Sequence, residues 1–326
     1  MPGYGNNLSL YENGTPQLPQ DPVLDLSGIG MNGDKYQYYP GSAGSWQNEI
    51  IGIHDIIQNE LGLTHVRVEA IWKYVCPILP SIDETNIDGY PVINEQTIDA
   101  FNDYIDDLTQ NPPQLPGGIS QDKIGWQWLD IVINNLYNNS MTPLVIVGQG
   151  FSGSVPYAEN ASGDYKIISP GEPRGTNTDD FIEISEEMYL YWLEVYTRAV
   201  VQKYANKVQY WEAETELNAA RYTESFDWWR KGSAWHDDTG GGFLDQVAST
   251  LYSVIHDEDP DAQVVHAFHM FEMARCLDQW SAYYDIAGIN FYPNELHAYP
   301  VFGFLVGEMV YSARRAIDAL GLNKPV

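Results

Sequence analysis

Apolar positions recur along this chain in two alternating rhythms, one with a helical period and one as short continuous runs. Trp46, Ile50, Ile53, Ile57 and Leu61 stand three or four residues apart and predict a helix over 45–61, which Gly62 is suited to end. An apolar run at 23–31 precedes it and a strand over 65–72 follows. A connection rich in Pro, Asn and Asp then carries a short helix at 94–108, and the run NPPQLPGG at 111–118 is loop chemistry. A helix at about 123–137 leads into TPLVIVG at 142–148, a continuous apolar run of the kind found in a parallel sheet covered on both faces. Residues 149–184 read as a loop. Ser185 then suits an N-cap with Glu186 and Glu187 in the first turn, and Tyr189, Trp192, Tyr196 and Ala199 form the buried stripe of the helix it starts.

The alternation continues with a strand at 208–218, a helix at 243–256, a strand at 262–269, a short helix near Leu277, a strand at 286–292 and a helix at 304–320. Lys324, Pro325 and Val326 give a seventh strand signal. Strands that alternate with helices in this way predict an α/β fold with a parallel sheet, organised as one domain over 1–326. No GxGxxG follows the first strand and no GxxxxGK[ST] occurs, so a (β/α)8 TIM barrel is preferred to a nucleotide-binding doubly wound sheet. The expected barrel is incomplete at its C-terminus: strand 7 begins at the chain end and strand 8 is missing.

Barrels of this kind place their chemistry at the C-terminal ends of strands. The fourth strand, VQYWEAETELN, drives an apolar run into Glu212, Glu214 and Glu216. An unpaired buried carboxylate costs about several kcal/mol, so three so close together point to a site. Other strand ends supply Arg67, Glu69 and Trp72, Gln149, Thr215 and Asn218, His269, and Asn290 and Tyr292. A single Arg or Tyr on a barrel strand is as often a satisfied structural group; their shared rim position is what favours a substrate role. Glu214 also has a bland reading, as a buried acceptor for Arg67 or for a neighbouring amide.

The segment WEAETELN resembles the strand-4 acid/base motif of the clan A retaining glycoside hydrolases. HVRVEAIW resembles their second strand with its inward Arg, and DIAGINFYPN resembles their sixth strand with its active-site Tyr. The likeness runs from about residue 24 onward. It implies that Glu216 is the proton donor and that Arg67 and Tyr292 orient the nucleophile; Trp72, Gln149, Glu214, Asn218, His269 and Asn290 are expected to contact substrate from their places at the strand ends. Thr215 stands where the family has an Asn that contacts the sugar 2-hydroxyl. The family's nucleophile is a Glu at the end of strand 7, which places it beyond Val326 and leaves the chain as given, a fragment, without turnover of its own. Glu272 and Glu295 are the stand-ins within the chain, and Glu308 falls on a helix pattern that carries it outward. The implied activity is cleavage of a β-linked oligo- or polysaccharide with retention; the alternative is a carbohydrate-binding or degenerate barrel that performs no chemistry.

Charge agrees with a neutral substrate. Against 16 Lys and Arg stand 45 Asp and Glu, a formal net charge of −29, which repels nucleic acid and anionic membrane surfaces. No partner of either kind is expected. Acidity on this scale also suits an extracellular setting, although no basic segment followed by an apolar core marks a signal peptide at the N-terminus. Cys76 and Cys276 are far apart and read as core thiols. His266 and His269 are three apart on a strand and cannot share one ion, so neither a metal nor a cofactor is expected. Of the tryptophans that could stack on sugars, Trp228, Trp229 and Trp235 are the best placed, Trp126, Trp128 and Trp211 are weaker, and Trp192 belongs to a helix face.

Overall fold

The computed structural model describes residues 11–12, 15–16, 30–32, 45–80, 92–115, 123–148, 155–170, 178–219, 242–269, 273–290 and 306–326. Two short strands, β1 (Tyr11–Glu12) and β2 (Thr15–Pro16), pair antiparallel, and β3 (Gly30–Asn32) opens the main sheet. Helix α1 (Ser45–Asp55) continues into a π-helical turn at Ile56–Glu60, and buries Ile50 and Ile57 as the spacing predicts. Gly62, with φ of 68°, turns the chain into β4 (His65–Glu69). Then come α2 (Trp72–Val75), α3 (Glu95–Gln110) and α4 (Gln127–Asn138), with β5 (Thr142–Ile146) after them. Asn94 caps α3 reciprocally: its Oδ1 accepts from the Thr97 amide at 3.1 Å while Thr97 Oγ1 accepts from the Asn94 amide at 3.3 Å.

Residues 149–184, expected as a loop, are the first correction. They contain β6 (Tyr157–Glu159), β7 (Tyr165–Pro170) and β8 (Phe181–Ile184), a small sheet in which β6 runs antiparallel and β8 parallel to β7. Its strands are too short and too mixed in polarity for a period to show. Ser185 does cap α5 (Glu186–Tyr204), its Oγ accepting from the Met188 amide at 3.1 Å. Next follow β9 (Tyr210–Thr215), α6 (Phe243–Glu258), β10 (Gln263–Phe268), α7 (Met273–Gln279), β11 (Ile286–Ile289) and α8 (Val306–Leu320).

The main sheet has the order β11-β10-β9-β5-β4-β3, and every adjacent pair is parallel. Each crossover therefore returns to the neighbouring position, and the order never reverses as it would in a doubly wound sheet. This is the α/β wall of a (β/α)8 barrel. Among the described residues it comprises six strands, and β3 and β11 are its two edges. Lys324–Val326 lies against β11 where a seventh strand is expected: the Ala287 amide donates to the Pro325 carbonyl at 3.0 Å, and Lys324 Nζ donates to the Tyr284 carbonyl.

Alternation along the strands sorts the two faces. Val66 and Val68 of β4, Val145 of β5 and Trp211 and Ala213 of β9 are buried in one cluster with Leu129, Leu193, Val200 and Leu251 of the helices. Arg67 and Glu212 point to the opposite face. Among the described residues no helix is long and apolar enough to cross a membrane. Cys76 and Cys276 are buried, as expected of core thiols.

His266 has a consequence for acid stability. It is fully buried between β10 and α7, with ring centroids 4.6 Å from Phe268 and 5.1 Å from Trp280, and neither ring nitrogen has a hydrogen-bond partner among the described residues. Burial pushes its pKa down from 6.5 to about 3, so the fold holds it neutral. The unfolded chain takes up that proton below pH 6.5, and stability should fall as pH drops from there toward about 3. The slope contributed is up to about 1.4 kcal/mol per pH unit. His266→Phe should flatten this part of the profile in urea melts between pH 7 and 4; identical pH dependence in parent and variant would contradict the buried neutral imidazole.

Candidate active site

Register along β9 decides where its carboxylates go. Glu212 stands opposite Val265 of β10, but the next regular partners are Thr215 and Ala267, so three steps on β9 match two on β10. This bulge returns Thr215 to the face of Glu212 and leaves Glu214 on the extra step. A regular strand would have kept Glu214 and Glu216 on one face; the bulge separates them.

On the inner face Arg67 and Glu212 form a bidentate pair, Nε to Oε2 and Nη2 to Oε1, both at 2.6 Å. Arg67 Nη2 also donates to Thr215 Oγ1 at 2.7 Å, and the Thr215 hydroxyl donates to Glu212 Oε1 at 2.6 Å. Glu212 is 1 % exposed, so this closed ring of contacts is what permits its charge inside the sheet. The bidentate partner of Arg67 is therefore Glu212. The sequence marks Glu212 as one of three carboxylates but gives it no role, because the contact spans 145 residues and depends on the bulge.

Glu214 is buried in the wall. Its Oε1 accepts from the Thr215 amide at 2.9 Å, which matches its expected bland role as an acceptor for a neighbouring amide. Its other oxygen lies against Gly148 at the end of β5: a Cβ there would sit 2.6 Å from Oε2 and 2.0 Å from the Ala213 carbonyl, so only glycine lets the two strands approach. Burial, and after it the Glu214 charge, push the Tyr189 hydroxyl well above its ordinary pKa.

Glu216 closes the strand. Its amide donates to the Ala267 carbonyl at 2.7 Å and its φ is 55°, the left-handed region that non-glycine residues seldom adopt and that clusters at functional sites. The side chain is 7 % exposed, and Oε1 has no hydrogen-bond partner among the described residues. Such an oxygen is unfavourable until a proton, a water or a ligand meets it. A 3-10 turn, Leu217–Ala219, follows. It is clasped to the end of β10 by Asn218, whose Nδ2 donates to the His269 carbonyl at 2.7 Å and whose Oδ1 accepts from the His269 amide at 2.8 Å.

The residues expected to contact substrate fall in different settings. Trp72 is fully enclosed, stacked on Tyr196 at 5.3 Å and edge-on to Tyr189 at 5.8 Å, which makes it core and not platform. Asn218 and His269 are buried as well and serve as the clasp that fixes the Glu216 turn. Glu214 faces Gly148 and not the rim. Arg67 and Thr215 join Glu212 as described, and Asn290 is half-buried after β11, its amide donating to Phe268 at 3.0 Å. Trp126, Trp128, Trp192 and Trp211 are core. Gln149, Tyr292, Glu272, Glu295, Trp228, Trp229 and Trp235 lie outside the described residues. Among the described residues no three His, Cys, Asp or Glu side chains gather as a metal site would require.

No family model matches the chain, and no curated protein does. Solved structures similar to it include a GH10 endoxylanase retrieved from a sugarcane soil metagenome, at 12% identity and a TM-score of 0.49, covering 91% of this chain and 65% of that one. Others are xylanase 10B from Thermotoga petrophila RKU-1 in complex with xylobiose, at 12% identity, TM-score 0.48 and coverage of 90% and 66%, and GH10 from Paenibacillus barcinonensis, at 14% identity, TM-score 0.47 and coverage of 91% and 67%. The chain spans about two thirds of the length of these proteins.

Proposed function

We propose that this chain carries the acid/base half of a retaining glycoside hydrolase acting on a neutral, β-linked glycan, with Glu216 as the proton donor. The observation that carries the reading is Glu216 itself, at the C-terminal end of β9, in a left-handed turn, with an oxygen that has no partner among the described residues. The sequence resemblance at WEAETELN adds to it, and the net charge of −29 favours an uncharged substrate. In the first step Glu216 gives its proton to the glycosidic oxygen as the C–O bond breaks, and a second carboxylate attacks the anomeric carbon from the opposite face. In the second step Glu216, now ionised, takes a proton from water, and that water displaces the carboxylate with net retention. The second group must stand about 5 to 5.5 Å from the first. Among the described residues Glu212 is held by Arg67 and Thr215, and Glu214 is held in the wall; the attacking carboxylate is proposed on a strand continuing beside β11 past Val326, with Glu272 and Glu295 as the stand-ins within the chain. Arg67 keeps Glu212 and Thr215 in place beneath the reacting sugar, and Gln149, Asn290 and Tyr292 are proposed as its contacts on the rim.

A second reading, a sugar-binding barrel without turnover, is favoured by one contact: the single proton of the Thr215 hydroxyl is committed to Glu212, so it cannot be donated to a sugar. The two readings separate in a rescue assay. With azide supplied as the attacking anion, residues 1–326 should convert an aryl β-glycoside into the α-glycosyl azide, at a rate that rises with azide concentration. Binding of the glycoside without any azide-dependent product would support the binder and overturn the hydrolase.

A further inference from the structure

The insertion between β5 and α5 carries a cleft of its own. It has a volume of about 840 Å3, within the range of small-molecule sites, and is lined among others by Tyr157, Tyr165, Asp164, Lys166, Asp180 and, from the loop after α3, Gln114. Tyr157 pairs with Ile167 and Glu159 with Tyr165 across the hairpin, so the two tyrosines share one face, where Tyr157 is the buried floor and Tyr165 the half-buried, accessible ring. The support is rigid. Asn160 Oδ1 accepts from the Ser162 and Asp164 amides at 2.9 and 2.8 Å around Gly163, which has a φ of 85°. The Tyr157 amide and carbonyl both bond to the barrel at 2.8 Å, through the Pro77 carbonyl and the Leu79 amide.

Charge selects the ligand class. Two carboxylates and one amine line the cleft, the amine being Lys166, whose Nζ donates to the Asp179 carbonyl at 2.5 Å; a second amine, Lys73, is buried beneath it with Nζ 4.2 Å from the Tyr157 ring centroid. Burial pulls the Lys73 pKa down to about 8, which still leaves it charged at neutral pH. A cation already on the Tyr157 ring disfavours a cationic ligand, and the carboxylates disfavour an anion. What fits is an uncharged molecule with an apolar CH face for the Tyr165 ring and hydroxyls for Asp164, Asp180 and Gln114.

We propose that this cleft is a second, non-catalytic glycan-binding site, which holds a neutral sugar against Tyr165 independently of Glu216. Calorimetric and NMR titrations of residues 1–326 with xylohexaose and cellohexaose test it. At least one hexasaccharide should shift β6–β8 signals; Tyr165→Ala should weaken that binding by up to about tenfold, Gln114→Ala should weaken it less, and Glu216→Gln should leave it in place. Shifts confined to β9 and its neighbours, or titrations of both cleft variants that match the parent, would overturn the second site without touching the Glu216 reading. Spermidine binding in the cleft where neither hexasaccharide binds would overturn it too.

Discussion

Glu216→Gln is expected to lower azide-dependent cleavage of an alkyl or methoxyphenyl β-glycoside by roughly 10²- to 10⁴-fold, the usual contribution of a positioned general acid. A dinitrophenyl glycoside should be nearly unaffected, because that leaving group departs without a proton. The contrast between leaving groups isolates proton donation from folding and from sugar binding. Glutamine keeps the size of the side chain and its place in the left-handed turn, and the backbone bond from the 216 amide to Ala267 persists. Equal losses on both substrates would point to a misfolded site; no loss on either would remove Glu216 from the mechanism.

Arg67→Ala should destabilise the fold by about 3–5 kcal/mol, the range found when one partner of a buried ion pair is removed. Glu212 is 1 % exposed, and without the guanidinium its charge would be left, among the described residues, with the Thr215 hydroxyl. The double variant Arg67→Met with Glu212→Leu should recover most of that loss, since an apolar pair leaves no charge behind. Urea midpoints for the three proteins measure both effects. A cost below about 1 kcal/mol for Arg67→Ala would be the behaviour of an exposed ion pair, and would contradict the enclosed cluster.

Element type and order were legible wherever the period was long. The stripe of α5 and the apolar run of β5 both appear where the spacing places them, because burial of one face imposes that spacing. The caps of α3 and α5 differ in this respect: Ser185 was readable, whereas the reciprocal Asn94–Thr97 box departs from the usual Ser/Thr and Glu/Gln pattern. The β6–β8 sheet left no periodic trace in strands of three to six residues. At the site, sequence placed Arg67, Thr215 and Glu216 at strand ends; Thr215 does end β9 and Glu216 follows it, whereas Arg67 is the middle residue of β4. Sequence could not show that Arg67 meets Glu212, because a bulge shifts register by a residue without altering composition. Trp72 misled for a related reason: a Trp just past a strand end can turn either way, and the short helix α2 turns this one onto Tyr196.

The central claim is that Glu216 faces a bound sugar. A crystal structure of residues 1–326 carrying Glu216→Gln, soaked with a β-1,4-linked xylo- or cello-oligosaccharide, addresses it most directly. The account predicts a glycosidic oxygen within about 2.6–3.2 Å of the residue 216 side chain, across the ring from the face of Arg67 and Glu212. Sugar density confined to the β6–β8 cleft, or a side chain at 216 turned under the helices with no sugar within reach, would contradict it.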